Sequence, residues 1–192
     1  RGMSSAASDV YKRQHSMYSA ILDSFSELLK KINPDIVLVH GDTATTFASA
    51  MSAYLNKNRI AHVEAGLRTR DLYSPWPEEG NRKLVGSLAD VHYAPTNQAR
   101  ENLIREGIQK ESIVVTGNTV IDSLVLASNK LDINQQLSNA IQKKYDYLDP
   151  NKKTILVTGH RRENFGVGFK NICNAISTCL LYTSDAADDI PR

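Results

Sequence analysis

Ile36-Val37-Leu38-Val39, running straight into His40-Gly41-Asp42-Thr43, is the stretch on which the fold turns. A continuous run of β-branched and apolar residues reads as a strand buried on both faces, the signature of a parallel sheet. Upstream, Met17, Ile21, Phe25, Leu28, Leu29 and Ile32 recur at spacings of three and four, which predicts an amphipathic helix over 16–31. Asn33-Pro34 stops it. Downstream lie an Ala- and Ser-rich helix over 44–55, a strand near 59–63, a polar loop from Ala65 to Glu79 and a helix over 80–89. A strand at 91–94 follows, then a helix capped by Thr96 or Asn97 and closed by Gly107, a strand at 113–115, and a helix from Asn118 to about 129. Strands alternating with helices of this length predict an α/β class with right-handed crossovers, a Rossmann-like parallel sheet with flanking helices.

The rest of the chain is less regular. Residues 130–153 are polar, hold an amphipathic piece near 134–145, and read as a linker; the apolar run at 154–158 restarts the strand pattern. Residues 15–129 are therefore expected to be the later part of one Rossmann-like domain, and 154–179 the start of a second. Residues 1–14 have no amphipathic period and read as a non-native leader, and 180–192 as a non-native tail breaking off a helix. The strings VYKRQ and LLYTSDAADD within those ends resemble translated sequencing-adapter sequence.

Composition narrows the function. With 41% hydrophobic and 23% charged residues the 192-residue chain is of globular type. Its 23 basic and 21 acidic groups nearly cancel, so no general footprint for nucleic acid or an anionic membrane exists, although a local basic loop can still bind phosphate. Cys173 and Cys179 lie six apart in a predicted helix, about 240° around its axis, which rules against a disulfide between them. No apolar run approaches the roughly 18 residues of a membrane helix. A reducing, cytoplasmic setting is the default expectation.

In parallel sheets, ligands sit beyond the carboxyl ends of the strands. Here those ends carry His40-Gly41-Asp42, Glu64-Ala65-Gly66-Leu67-Arg68 and Gly159-His160-Arg161-Arg162, so three strands each end in ionisable groups beside a glycine. Asp42 is either a functional acid or a helix N-cap ahead of Thr43. Glu64 is either functional or the partner of Arg68 in a structural ion pair, since a buried carboxylate needs one. The loop Tyr73-Ser74-Pro75-Trp76-Pro77 is stiffened by two prolines and delivers Glu78 and Glu79, which also suit the first turn of the following helix. His160-Arg161-Arg162, between a strand and a helix, has the makings of a phosphate cradle or of a solvated basic turn. His40, Asp42, His62 and Glu64 could gather a metal, but neither HExxH nor a PCxxC after His62-Val63-Glu64 is present, so core or hydrogen-bonded histidines and no metal are expected. The absence of GxGxxG and of a Walker A sequence leaves NAD and ATP without a motif.

The blocks HGDTATT (40–46), HVEAGLRT (62–69), YSPWPEEGNR (73–82), TGNTVIDSL (116–124) and TGHRRENFG (158–166) resemble, in order, those of the non-hydrolysing UDP-N-acetylglucosamine 2-epimerases. The resemblance runs from about residue 16 to 179 and implies a two-domain GT-B arrangement, incomplete here, at about half the usual length. It implies interconversion of UDP-GlcNAc and UDP-ManNAc for bacterial cell-surface polysaccharides, with no cofactor, by a homodimer. It assigns Asp42, Glu64 and Glu78 as catalytic carboxylates and His160 as a contact to UDP, with Arg161 beside it. It further implies that this chain alone is inactive. A hydrolysing relative that releases ManNAc, a GT-B glycosyltransferase, and a non-catalytic sugar-nucleotide-binding fragment are the rivals.

Overall fold

Four short stretches rich in β-branched and apolar residues become four parallel strands. The structure, a computed structural model, describes residues 5–149, 151–158 and 166–188, and the chain divides into two units between Ile133 and Asn134. In the first unit the order is α1 (Ser5–Ile32), β1 (Ile36–His40), α2 (Ala44–Leu55), β2 (Arg59–Val63), α3 (Glu78–Leu88), β3 (Val91–Ala94), α4 (Asn97–Arg105), β4 (Ile113–Val115) and α5 (Thr119–Ile133). The strands lie in the sheet in chain order, each parallel to its neighbour. Helices join all three pairs because a parallel connection has to cross the full length of the sheet.

One face of the sheet carries the core. Val37, Val39 and Ile60 pack with Leu29 of α1, Ala50 and Ala53 of α2 and Val85 of α3. The small residues of α2, with Ala48, Ala50 and Ala53 fully buried, bring that helix close to the strands. A second cluster joins Ala94 and Ile113 to Ala99 and Leu103 of α4 and to Ala65. Beyond α4, Gly107 adopts φ +89, the left-handed C′ position predicted for it.

The structure departs from the sequence reading in four places. β1 is an edge strand covered on one face: Val37 and Val39 are buried while Leu38 between them is 64% exposed. An apolar run records what a strand is able to bury, not what covers it. α1 begins at Ser5, well ahead of the periodic stretch, because no proline or glycine interrupts residues 5–32. With no proline or glycine from Phe169 to Asp188, α7 (Val167–Asp188) of the second unit likewise continues through the residues read as a tail. Residues 153–158 form no strand, and Ile155, Leu156 and Val157 are exposed; no neighbouring strand among the described residues offers them a ladder. The second unit also contains α6 (Gln135–Lys144), capped by the Asn134 side chain, which accepts from the Leu137 amide at 3.0 Å.

Candidate active site at the carboxyl rim of the sheet

The register of β1 and β2 decides which side chains meet. His40 pairs with Val63, so the next residues along, Gly41 and Glu64, face each other just past the last rung. The Gly41 amide still donates to the Val63 carbonyl at 3.0 Å, and the Ala65 amide to Tyr93 at 3.0 Å, which fixes Glu64 from both sides. Held in this way Glu64 adopts φ +67, a left-handed conformation that costs a non-glycine residue roughly 1–2 kcal/mol. Gly41 is also left-handed, at φ +73, and a Cβ there would touch Glu64 Oε2 at 3.4 Å. Strained backbone carrying a carboxylate at a strand end is the kind of local cost that persists where a site is built.

Asp42 follows immediately. It is not the cap of α2: that role belongs to Thr43, whose hydroxyl accepts from the Thr46 amide at 3.3 Å. Instead, α3 reaches over and holds Asp42 twice. Asn81 Nδ2 donates to the Asp42 carbonyl at 2.8 Å, and the Arg82 guanidinium pairs with the Asp42 carboxylate. Asn81 is itself oriented by Tyr18 of α1, whose hydroxyl donates to its Oδ1 at 3.0 Å.

The adjacent acids Glu78 and Glu79 have different fates. Glu79 is fully buried and accepts from the Thr69 amide at 3.1 Å and the Arg70 amide at 3.2 Å, with Arg82 Nη1 at 3.3 Å. It ties the loop after β2 to α3. Glu78, the first residue of α3, is half-buried, and its carboxylate makes no hydrogen bond or ion pair with the described residues. Both acids complement the helix dipole as the sequence allowed, but of the two only Glu78 has a carboxylate that no described residue engages. Arg68 does not serve Glu64: it forms a bidentate pair with Glu106 at 2.8 and 2.7 Å, and this hydrogen bonding holds the Glu106 carboxyl below its usual range. Glu64 has His40 as its neighbour, at 3.9 Å.

His62 is buried beneath the rim, its Nε2 2.8 Å from the Gly41 carbonyl and its Nδ1 without a hydrogen-bond partner among the described residues. Since a carbonyl only accepts, Nε2 carries the hydrogen. Burial is the main cause lowering its pKa from 6.5 to about 4, and burial likewise lowers that of His92, its partner across β2 and β3. Between pH 6.5 and 4 the unfolded chain binds a proton that folded His62 refuses. Its contribution is intact above pH 6.5 and is lost as pH falls through that window, on the order of 3 kcal/mol at one pKa unit per roughly 1.4 kcal/mol. Urea midpoints measured from pH 7 to pH 4 should therefore decline, and His62→Gln should flatten the decline. Among the described residues no group of three or more His, Cys, Asp or Glu side chains is placed to hold a metal ion.

Asp42, Glu64 and Glu78 thus belong to one rim, linked through β1, β2 and the first turns of α3. His160 and Arg161 lie outside the described residues. The sequence reading missed Arg82, Asn81 and the division of labour between Glu78 and Glu79. The spacing was available: Arg82 lies three and four residues after the two acids, on the same face of a helix.

A parallel sheet flanked by helices, with several carboxylates at its carboxyl rim, places the chain in the α/β class, in which ligands sit beyond the strand ends. The sequence profile described as UDP-N-acetylglucosamine 2-epimerase matches residues 5–186, and the chain belongs to that family. It is 52% identical over 157 residues to the UDP-N-acetylglucosamine 2-epimerase of Salmonella typhimurium and 50% identical over 157 residues to that of Escherichia coli K12. Each match covers 82% of this chain and 42% of the relative. Among solved structures, the Neisseria meningitidis UDP-GlcNAc 2-epimerase bound to UDP-GlcNAc superposes with a TM-score of 0.83 at 44% identity, covering 86% of this chain and 44% of that one. The Methanocaldococcus jannaschii enzyme in complex with UDP-GlcNAc and UDP gives 0.77 at 33% identity, covering 89% and 46%. The chain therefore spans less than half the length of these relatives. No described helix is long and apolar enough to cross a membrane.

Proposed function

We propose that this chain carries the acid/base half of an enzyme that interconverts UDP-GlcNAc and UDP-ManNAc. The observation that carries the reading is the register of β1 and β2, which sets Gly41-Asp42 beside Glu64 at the carboxyl rim. α3, whose first residue is Glu78, is bonded to Asp42 there. Inverting C2 of the sugar means removing a hydrogen from a carbon with no strong acidifying neighbour. Breaking the C1–O bond first sends that electron pair to the diphosphate and leaves C1 electron-poor, which acidifies C2–H. A carboxylate takes the proton and a C1–C2 double bond forms, giving 2-acetamidoglucal and UDP. In the return step an acid on the other face protonates C2 while a diphosphate oxygen attacks C1.

Two faces call for two acid/base groups, and a third carboxylate nearby tunes them and stabilises positive charge at C1. Asp42, Glu64 and Glu78 supply all three. His160, with Arg161 beside it, supplies donors for the departing diphosphate. The whole enzyme is a homodimer that works in the cytoplasm. The names of the liganded relatives and the sequence blocks shared with the family support the substrate assignment.

The test uses a spliced enzyme in which the 157 matched residues of this chain replace the corresponding segment of the Salmonella typhimurium relative. Incubated with UDP-GlcNAc, it should form UDP-ManNAc with the nucleotide still attached. Free ManNAc and UDP as the only products would instead support the hydrolysing alternative, and no turnover by the folded protein would sink the reading.

A further inference from the structure

We propose that Arg82, backed by the buried Glu79, is a positioning residue that sets the Asp42 carboxylate in place for the reaction. The inference rests on the catalytic reading of Asp42 given above. Asp42 sits in a turn after β1, and no strand pairing extends to it. Its position is imposed from α3, by Asn81 on its carbonyl and by Arg82 on its carboxylate.

Arg82 is well suited to this task. Its side chain is only 13% exposed, with one Nη on Asp42 and the other 3.3 Å from Glu79 Oε2. A planar guanidinium held at both ends of its fork has little freedom left, so the carboxylate it grips is fixed in direction as well as distance. Glu79 gives the fork its anchor. Fully buried, it is compensated by Arg82 and by the amides of Thr69 and Arg70, so the loop after β2, α3 and the turn after β1 move as one unit. Glu64, Asp42 and Glu78 are thereby held in mutual register by one cation and one acid that need not touch substrate.

A residue that fixes the geometry of the reacting groups is read in turnover more than in binding. Misplacing such a group by about 1 Å costs up to about 100-fold in rate. In the spliced enzyme, Arg82→Gln should lower kcat by about 30- to 100-fold with KM within about threefold, and Arg82→Lys, which keeps the charge but not the fork, should recover only part of the loss. Glu79→Gln should lower kcat in the same direction. In the 192-residue chain itself, Arg82→Gln should speed amide hydrogen exchange at Thr69 and Arg70 by about tenfold or more, because Glu79 loses its cation.

An active parent with Arg82→Gln turning over within threefold overturns the positioning role and leaves the proposed function standing. So does a loss that matches the fall in folded fraction, which marks a merely structural residue, or unchanged exchange at Thr69 and Arg70. A folded but inactive parent sinks the proposed function, and this inference with it.

Discussion

Glu64→Gln in the spliced enzyme is expected to reduce turnover by about 10³-fold or more while the Kd for UDP stays within threefold of the parent value. The substitution is nearly isosteric, so the strained φ of +67 at this position and its two flanking backbone bonds are retained. What is lost is the ability to accept a proton at ordinary pH. Acid/base catalysis by one positioned group is worth roughly 10²–10⁴-fold, and stabilisation of positive charge at C1 adds to it. UDP contributes its uracil, ribose and diphosphate to binding, and none of these is the reacting carbon. Steady-state rates and calorimetry with UDP check both halves. Retained turnover removes Glu64 from the mechanism, and a large loss of UDP affinity would assign it to binding instead.

Gly66→Ala is expected to cost about 4 kcal/mol or more of stability, enough to unfold much of the first unit. Gly66 has φ +89, and a Cβ built there would lie 2.2 Å from the Ala99 carbonyl oxygen and 2.7 Å from its carbon. These are backbone atoms of α4, which cannot rotate away. The Gly66 carbonyl also accepts from Asn102 Nδ2 at 3.0 Å, so the loop cannot lift off the helix without losing that bond. Gly80 serves as the control, because a Cβ there meets nothing within 4 Å. It lies inside α3, where alanine exceeds glycine in helix propensity by about 1 kcal/mol, so Gly80→Ala should raise the urea midpoint slightly. Equal effects at the two positions would contradict the packing described for the Glu64–Arg68 turn.

Much of this arrangement was readable before any coordinates. The strands stood out as short stretches rich in β-branched and apolar residues between helical segments, although β2 and β3 each carry a histidine, and the rule for parallel sheets pointed at Asp42 and Glu64 without regard to family. Other features depend on phase and neighbours, which one sequence hides. Glu78 and Glu79 are chemically identical, and only the rotation of α3 buries one and leaves the other unengaged by any described residue. Arg68 had a nearer acid in sequence than Glu106, yet the fold gave it the one 38 residues away. Leu38 looked as buried as Val37 and Val39, because hydrophobicity does not reveal whether a layer lies above it. The apolar run at 154–158 failed to become a strand for a related reason: a strand exists only with a partner. Asp42 was read as a choice between cap and catalyst, and the capping hydroxyl of Thr43 resolves the first half of that choice.

The claim on which the account depends is that side chains at this rim remove and replace the hydrogen on C2. Running the spliced enzyme in D₂O and reading the recovered sugar nucleotides by NMR and mass spectrometry tests it directly. One deuterium at C2, and at no other carbon, in both UDP-ManNAc and the returned UDP-GlcNAc is the predicted result. Epimerised product that keeps its original hydrogen at C2 would mean that no rim carboxylate exchanges that proton with solvent, and would contradict it.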